Sequence, residues 1–481
     1  MSITPLGYIL IPLGIVLFLR GTRSLFYSVV VTSSLFATCL ITTELTLLRT
    51  PYYFTLLLIA RKFTDAVMRR DFTFLKTREN LYLFLFLGVV IMSLIMPIIA
   101  QGKVWVIPID SSVGLLELLT PALLELRLSN FTQAIYMLFF AASFLAFVSE
   151  IKSLSTIIFV AKGLVYSSVA TILIGLIFQL FIITGNKYLI QKIYTITGLY
   201  DSRIFGAVIL GEQFKMFTTT GEPGVTAFHC LIGLGILSGF ILSKKRAFFG
   251  SRIRTTMLFL FLALGILLTG SSTGYYGIML LVFAVVFTTI LRSHISLIAI
   301  KRILRFLMIF FLMFIGLFFI IRFLTNMPLL DYFIKNHIEV LTKGERSGEI
   351  RAYLAIKNLQ IFLQYPLLGI GYGSTRSLSM STFLLANVGL LGIGTFYMFN
   401  FSIFKKGYII IRNGPHTDVS MLVQGFLIAF IVSFLLLQFA QSESMMLIVY
   451  YWLLLAVLAR CGILIHYRYF SLSCAHSSHV K

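Results

Sequence analysis

The sequence predicts an all-α, polytopic membrane helical bundle, and three observations carry that expectation. The first is composition: 59% of the 481 residues are apolar and 12% are charged, with a mean hydropathy of +0.98, whereas soluble domains average about 25% charged residues. The second is length patterning, because apolar runs of about 17 to 25 residues, enough to cross about 30 Å of hydrocarbon, recur along the chain. The third is charge patterning, with Lys and Arg gathered in short linkers between those runs.

In chain order, hydropathy places spans near 4–19, 25–43, 46–60, 81–100, 132–148, 155–183, 225–243, 255–270, 275–291, 304–323, 380–403, 419–438 and 445–461. The expected total is about 12 to 14 spans. The first run, Ile3 to Leu19, has no preceding basic region and no small-residue cleavage site, so it reads as a retained span. Basic linkers Arg61 to Arg78, Lys244 to Arg254, Arg292 to Arg305 and Lys405 to Arg412 belong on the cytoplasmic side. Segments Gln101 to Phe131, 185–224 and 325–379 then face outward, with the 460–481 tail inside and the N-terminus outside. No constant-period repeat interrupts 1–481, which reads as one membrane domain whose two large external loops carry short amphipathic helices.

The formal charge of +22 follows in large part from cations retained on inner loops beside an anionic leaflet. The outer loops break that rule. Loop 325–379 holds Lys335, Lys343, Arg346, Arg351, Lys357 and Arg376, and loop 185–224 holds Lys187, Lys192, Arg203 and Lys215. Cations placed against the topological bias call for an anionic partner, and the guanidinium fork suits phosphate oxygens. A phosphorylated lipid fits better than nucleic acid, since the basic residues sit on separate short loops beside lipid. Pairing with Asp331, Glu339, Glu345 or Glu349, or with lipid headgroups, is the alternative.

Residues Glu345 to Arg351 lead into an amphipathic pattern over Ala352 to Gln364. That helix is expected to end at Tyr365-Pro366, because a residue before proline is pushed out of the helical region. Gly369, Gly371 and Gly373, with Tyr372 between them, permit tight bends and can turn amide N–H groups toward an anion. Close helix packing is the competing use of such glycines. Cys39, Cys230, Cys461 and Cys474 lack metal spacing and read as small packing residues. The chain has no phosphate-binding Gly-x4-Gly-Lys loop and no Gly-x-Ser-x-Gly elbow.

Arg351, the amphipathic stretch, the run from Pro366 to Gly373 and then Asn387-Val388-Gly389-Leu390-Leu391-Gly392 together resemble the C-terminal signature of the bacterial O-antigen polymerase and ligase superfamily. Leu268 to Gly274 is similar to the family's Thr-x-Ser-Arg-x-Gly patch, and Thr220 to Gly224 resembles its Glu-Pro element. The likeness covers about residues 200 to 400. Three departures stand out: no histidine precedes Gly389 in the manner of the ligases, Ser272 occupies the usual Arg position, and Lys215 replaces an Arg before Glu-Pro. The missing histidine counts against the ligase branch, and the two lost Arg positions would shift the phosphate grip to Arg203, Arg351 and Arg376.

The resemblance implies joining of undecaprenyl-pyrophosphate-linked glycans at the periplasmic face of the bacterial inner membrane, without metal or other cofactor. It also implies membrane lipid and a chain-length regulator protein as partners. Arg351, Glu222 and Arg203 are the expected catalytic residues, and Arg346, Arg376, Lys215, Gly371, Tyr372 and Gly373 the expected substrate contacts. For the general base, Glu222 comes before Glu345, Glu349, His337, Glu339 and Glu212 because Pro223 fixes the chain beside it; the competing reading makes it a helix-start carboxylate. Gln438, at the outer end of its span, is a further candidate for the same outer cavity. The alternatives are a ligase acting on a different acceptor, and a non-enzymatic transporter or flippase of lipid-linked sugars, which would place charges and broken helices at mid-membrane.

Overall fold

A computed structural model describes residues 2–42, 47–70, 77–109, 120–184, 187–198, 216, 218–242, 249–293, 301, 304, 308, 346–413, 418–439 and 448–462. Strand β1 (Ser2–Ile3) leads to α1 (Pro5–Arg20), which starts where its cap dictates: the Thr4 hydroxyl accepts the Gly7 N–H at 3.0 Å and Pro5 occupies the first turn. The expected span 25–43 is corrected. Helix α2 (Thr22–Thr32) stops early, and the Thr32 and Ser33 hydroxyls donate to the Ser28 and Val30 carbonyls, each at 2.8 Å. Such local bonds offer the backbone an alternative to further helix. The chain then forms β2 (Cys39–Thr42), paired antiparallel to β1 and to β3 (Leu47–Arg49). The expected span 46–60 likewise opens as β3 and becomes helical only in α3 (Thr50–Arg69).

Next come α4 (Arg78–Ser93) and α5 (Met96–Ile99), then the two-stranded β4 (Trp105–Val106) and β5 (Ala122–Leu123). Helices α6 (Leu128–Glu150), α7 (Leu154–Ile183), α8 (Lys187–Thr197), α9 (Pro223–Ile241), α10 (Arg252–Leu268) and α11 (Ser272–Ser293) follow. The last four are α12 (Arg346–Gln364), α13 (Met380–Asn413), α14 (Asp418–Phe439) and α15 (Val449–Gly462). Among the described residues, 7 helices are long and apolar enough to cross a membrane, and α1 and α15 are shorter apolar helices. Most of the expected span 304–323 lies outside the described residues.

The centre of the bundle is the pair α9 and α14, with α15 beside them. In α9, 94% of the apolar window is buried, and in α14 89%, against a third to a half for the other long helices. Small residues make this approach possible. A Cβ on Gly235 would come within 2.6 Å of the Ala429 Cα, and one on Gly239 within 2.6 Å of the Met421 carbonyl oxygen. Between helices in lipid, dispersion contact replaces the hydrophobic drive, so close backbone approach is the main source of association.

Polar contacts sort the helix ends into two sets. At one end Lys62 pairs with Glu150, Lys406 with Glu79 at 2.8 Å, Arg460 Nε donates to the Val148 carbonyl at 2.6 Å, and Arg292 donates to Ser420 and Gln424. This basic end gathers described parts of three of the basic linkers, at Lys62, Arg292 and Lys406. The opposite end gathers the starts of α6, α9, α11 and α13 and the ends of α4, α10 and α14.

Gly239→Ala is expected to push α9 from α14 and to cost about 1 to 3 kcal/mol, the range for overpacked cores. Thermal unfolding of the detergent-solubilised protein measures it, and an unchanged midpoint would mean that the two helices are not in this contact.

Candidate functional site

Glu222 is placed by a hydroxyl triangle. Thr218, Thr220 and Thr226 bond to one another at 2.7 to 2.8 Å, the Gly221 N–H donates to the Thr218 carbonyl at 3.0 Å, and Gly221 takes φ +89°. The turn is held against the N-terminal segment by the Ala37 N–H on the Thr219 carbonyl, 2.9 Å. Glu222 is the N-cap of α9 with Pro223 in the first turn, yet its side chain makes no capping bond to the helix amides. The competing reading of Glu222 as a helix-start carboxylate is thus right about position, while the carboxylate is not spent on the helix's own amides.

Across 129 positions of sequence, the half-buried Arg351 of α12 lies within electrostatic reach of Glu222. Burial lowers the Arg351 pKa, and the Tyr276 hydroxyl group and the Glu222 carboxylate act in the opposite direction. Tyr276, in the first turn and a half of α11, is 51% exposed. Three segments thus place a carboxylate and a phenol within electrostatic reach of one guanidinium, and Tyr276 was missed because tyrosines at span ends ordinarily serve as interface anchors. The doublet Tyr275-Tyr276, between Gly274 and Gly277, was its only signal in sequence.

Arg351 is in turn positioned by a clasp between α12 and α13. Helix α13 is broken at Gly389 (φ +63°, ψ −161°), and the turn after α12 lies across the break. The Ile370 and Gly371 N–H groups donate to the Ala386 and Asn387 carbonyls at 2.9 and 3.0 Å, and the Leu390 and Leu391 N–H groups to the Pro366 and Leu367 carbonyls at 2.8 and 3.2 Å. The buried Asn387 side chain closes the loop: its Oδ1 accepts the Ser374 and Thr375 N–H groups and its Nδ2 donates to the Thr375 and Phe383 carbonyls. Asn358 of α12 donates to the Arg376 carbonyl at 2.9 Å and accepts from Thr375 at 3.2 Å.

The expectation that this glycine run offers its amides to an anion is corrected. The Gly369 and Gly371 N–H groups are bonded to protein carbonyls, the Tyr372 N–H to the Ser93 hydroxyl at 3.1 Å, and Gly373 is buried against α6. The Tyr372 ring is buried edge-on to Phe383, with 5.5 Å between centroids. These four residues shape the clasp, because unpaired amides at membrane depth are costly and carbonyls of the helix break, the preceding turn and the Ser93 hydroxyl accept the amides of Gly369, Gly371 and Tyr372. Asn130 of α6, unremarked in the sequence, reinforces it by donating to the Tyr372 carbonyl and Ser374 at 2.9 and 2.8 Å.

Arg376 leaves the clasp with its N–H on the Ile107 carbonyl at 2.8 Å and its side chain half-exposed. Arg203 and Lys215 lie outside the described residues, as do Glu212, His337, Glu339 and Glu345; of Arg346 and Glu349 only the helical backbone is described. Gln438 is buried, and its Oε1 accepts from Ser381 and Tyr397, tying the end of α14 to the start of α13. A groove of about 340 Å³ runs between α12 and β4, lined by Trp105, Tyr353, Lys357 and Asn358 among others. Among the described residues no three His, Cys, Asp or Glu side chains come together in a way that could hold a metal. Cys39, Cys230 and Cys461 are free and buried.

No protein-family model matches the chain, and no curated protein matches it. Fold and composition define its class: a membrane-embedded helical bundle with a polar constellation at the less basic end.

Two measurements probe this geometry. Glu222→Gln and Arg351→Ala should couple by about 0.5 to 1 kcal/mol in a double-mutant cycle of thermal stability, as for half-exposed ion partners; additive losses would separate the two side chains. Gly389→Ala forces an L residue to positive φ against the Leu367 backbone, and a loss of at least about 2 kcal/mol is expected. A neutral result would mean that α13 is continuous.

Proposed function

We propose that the protein is a membrane glycosyltransferase that polymerises oligosaccharide units carried on a lipid pyrophosphate. The observation that carries this reading is the convergence of Arg351, Glu222 and Tyr276 from three separated segments on the less basic end of the bundle. On the positive-inside rule that end faces away from the cytoplasm, where carrier-linked units of a surface polysaccharide are joined.

The chemistry needs few groups. The acceptor sugar hydroxyl attacks the anomeric carbon of the donor, the bond from that carbon to the pyrophosphate oxygen breaks, and the lipid pyrophosphate leaves with the electron pair. Glu222 takes the acceptor proton as general base. Arg351, already partly desolvated, neutralises the charge that grows on the departing pyrophosphate, where a positioned cation in a low-dielectric site acts most strongly. Arg376, Arg203, Arg346 and Lys215 are the remaining candidates to hold the second phosphate. Tyr276 is placed to orient a sugar hydroxyl or a phosphate oxygen.

The resemblance of the glycine run and the Gly389 patch to O-antigen polymerases and ligases points the same way, as does the lack of a histidine shortly before Gly389, within 377–382, which counts against the ligase branch. For a transporter, the freed backbone of a broken helix would coordinate cargo; here the four backbone bonds across the α13 break are closed within the protein.

Incubating the purified protein with undecaprenyl-pyrophosphate-linked repeat units in the presence of a chelator tests the reading. Stepwise lengthening of the glycan is expected, falling roughly 100-fold or more in Arg351→Ala and only partly restored by Arg351→Lys, which lacks the planar fork. Transfer confined to a lipid A core acceptor would make the protein a ligase. Movement of units across a vesicle with no new glycosidic bond would make it a transporter.

A further inference from the structure

At the basic end, the starts of α2, α4 and α7 and the ends of α3, α6 and α15 surround a cavity of about 560 Å³. Arg23, Lys62, Arg69, Lys152 and Arg460 line it, against two carboxylates, Asp65 and Glu150. Both carboxylates are already engaged: Glu150 pairs with Lys62, and Asp65 with Arg61 at 3.4 Å, which is not part of the lining. Arg23, Arg69 and Lys152 pair with no carboxylate among the described residues. The cavity thus holds surplus positive charge.

The helix starts add a second, independent term of the same sign. Amide N–H groups of a first turn lack intrahelical acceptors and carry the positive end of the helix dipole. Thr77 caps α4 and Ser153 caps the first turn of α7, but α2 begins at Thr22 with no side-chain cap at all. The uncapped start of α2, beside the cation-rich lining, offers backbone donors of the kind helix N-termini provide for phosphates. Helix α3 also presents Phe63 and Met68, 68% and 78% exposed, beside the charged lining. Apolar flanks suit an acyl chain next to a headgroup.

We propose that this cavity binds a phosphate-bearing anion, as a lipid headgroup or as free phosphate. Guanidinium and ammonium groups of Arg23, Arg69 and Lys152 supply the donors, and the uncapped α2 start supplies backbone N–H groups. The site lies at the opposite end of the bundle from Arg351 and Glu222, and it stands whether or not the glycosyltransferase reading does. On the positive-inside orientation its natural ligand is an anionic lipid of the cytoplasmic leaflet.

The test uses the full-length protein in phosphatidylcholine nanodiscs, following the thermal midpoint as phosphatidylglycerol is added to the bilayer or sodium phosphate to the buffer, with sodium chloride matching ionic strength. A rise with phosphatidylglycerol alone assigns a headgroup site, and a rise with phosphate as well assigns a site for the free anion. The double variant Arg23→Gln/Lys152→Gln, at exposed positions, should need roughly tenfold more of the effective anion. Lys103→Gln, at the other end, should behave as the unsubstituted protein. No rise with either anion, or an identical rise in the double variant, overturns the proposal; the first of these outcomes does not depend on any variant folding.

Discussion

Four backbone hydrogen bonds across the break in α13 are the constraint on which the candidate site depends. A helix interrupted at Gly389 leaves donors and acceptors that hydrocarbon cannot satisfy, and the turn from Pro366 to Gly371 answers them. That turn is also the continuation of α12, so the bonds that close the break hold the helix carrying Arg351 against the bundle. Asn387 and Asn358 extend the same hold through side chains. The glycines in this region serve backbone approach, with Gly369 and Gly389 both at φ +63°, and the polar work falls to residues that the clasp positions.

The two ends of the bundle treat charge differently. At the basic end, some cations find carboxylates, as Lys62 and Lys406 do, Arg292 donates to neutral side chains, and others line a hollow bordered by three helix starts. At the other end Arg351 is drawn partly out of water, with the Glu222 carboxylate and the Tyr276 phenol within electrostatic reach. Desolvating a guanidinium is unfavourable unless a partner or a ligand offsets it, which is why a half-buried cation beside one carboxylate and one phenol marks a place where an anion can add stability. The basic-end residues, more exposed, gain less from each contact and depend on number and on helix dipoles.

Much of this could be read from the chain. The amphipathic helix ending at Gln364, stopped by Tyr365-Pro366, follows from local sterics, and so does Glu222 at the start of a helix opened by Pro223. The run 25–43 misled because hydropathy is blind to the hydroxyls of Thr32 and Ser33, which bond back to the backbone where α2 ends, before the chain passes to a strand. The glycine run misled in another way. Its glycines permit an anion nest, but whether the amides of Ile370 and Gly371 face solvent or the carbonyls of a broken helix depends on partners 16 positions further on, and nothing local encodes that choice.

By itself the sequence determined the membrane-embedded helical class, the grouping of basic linkers, the ends of several helices and the candidacy of Arg351 and Glu222, because length, hydropathy, proline and charge act within a few residues. Only the tertiary structure decided that Glu222, Tyr276 and Arg351 share one place, that α9 and α14 form the centre, and that the glycine run is a clasp. Those outcomes rest on contacts between segments far apart in the chain, where close packing and the need to satisfy every buried backbone group select one arrangement among many that the local signals allow.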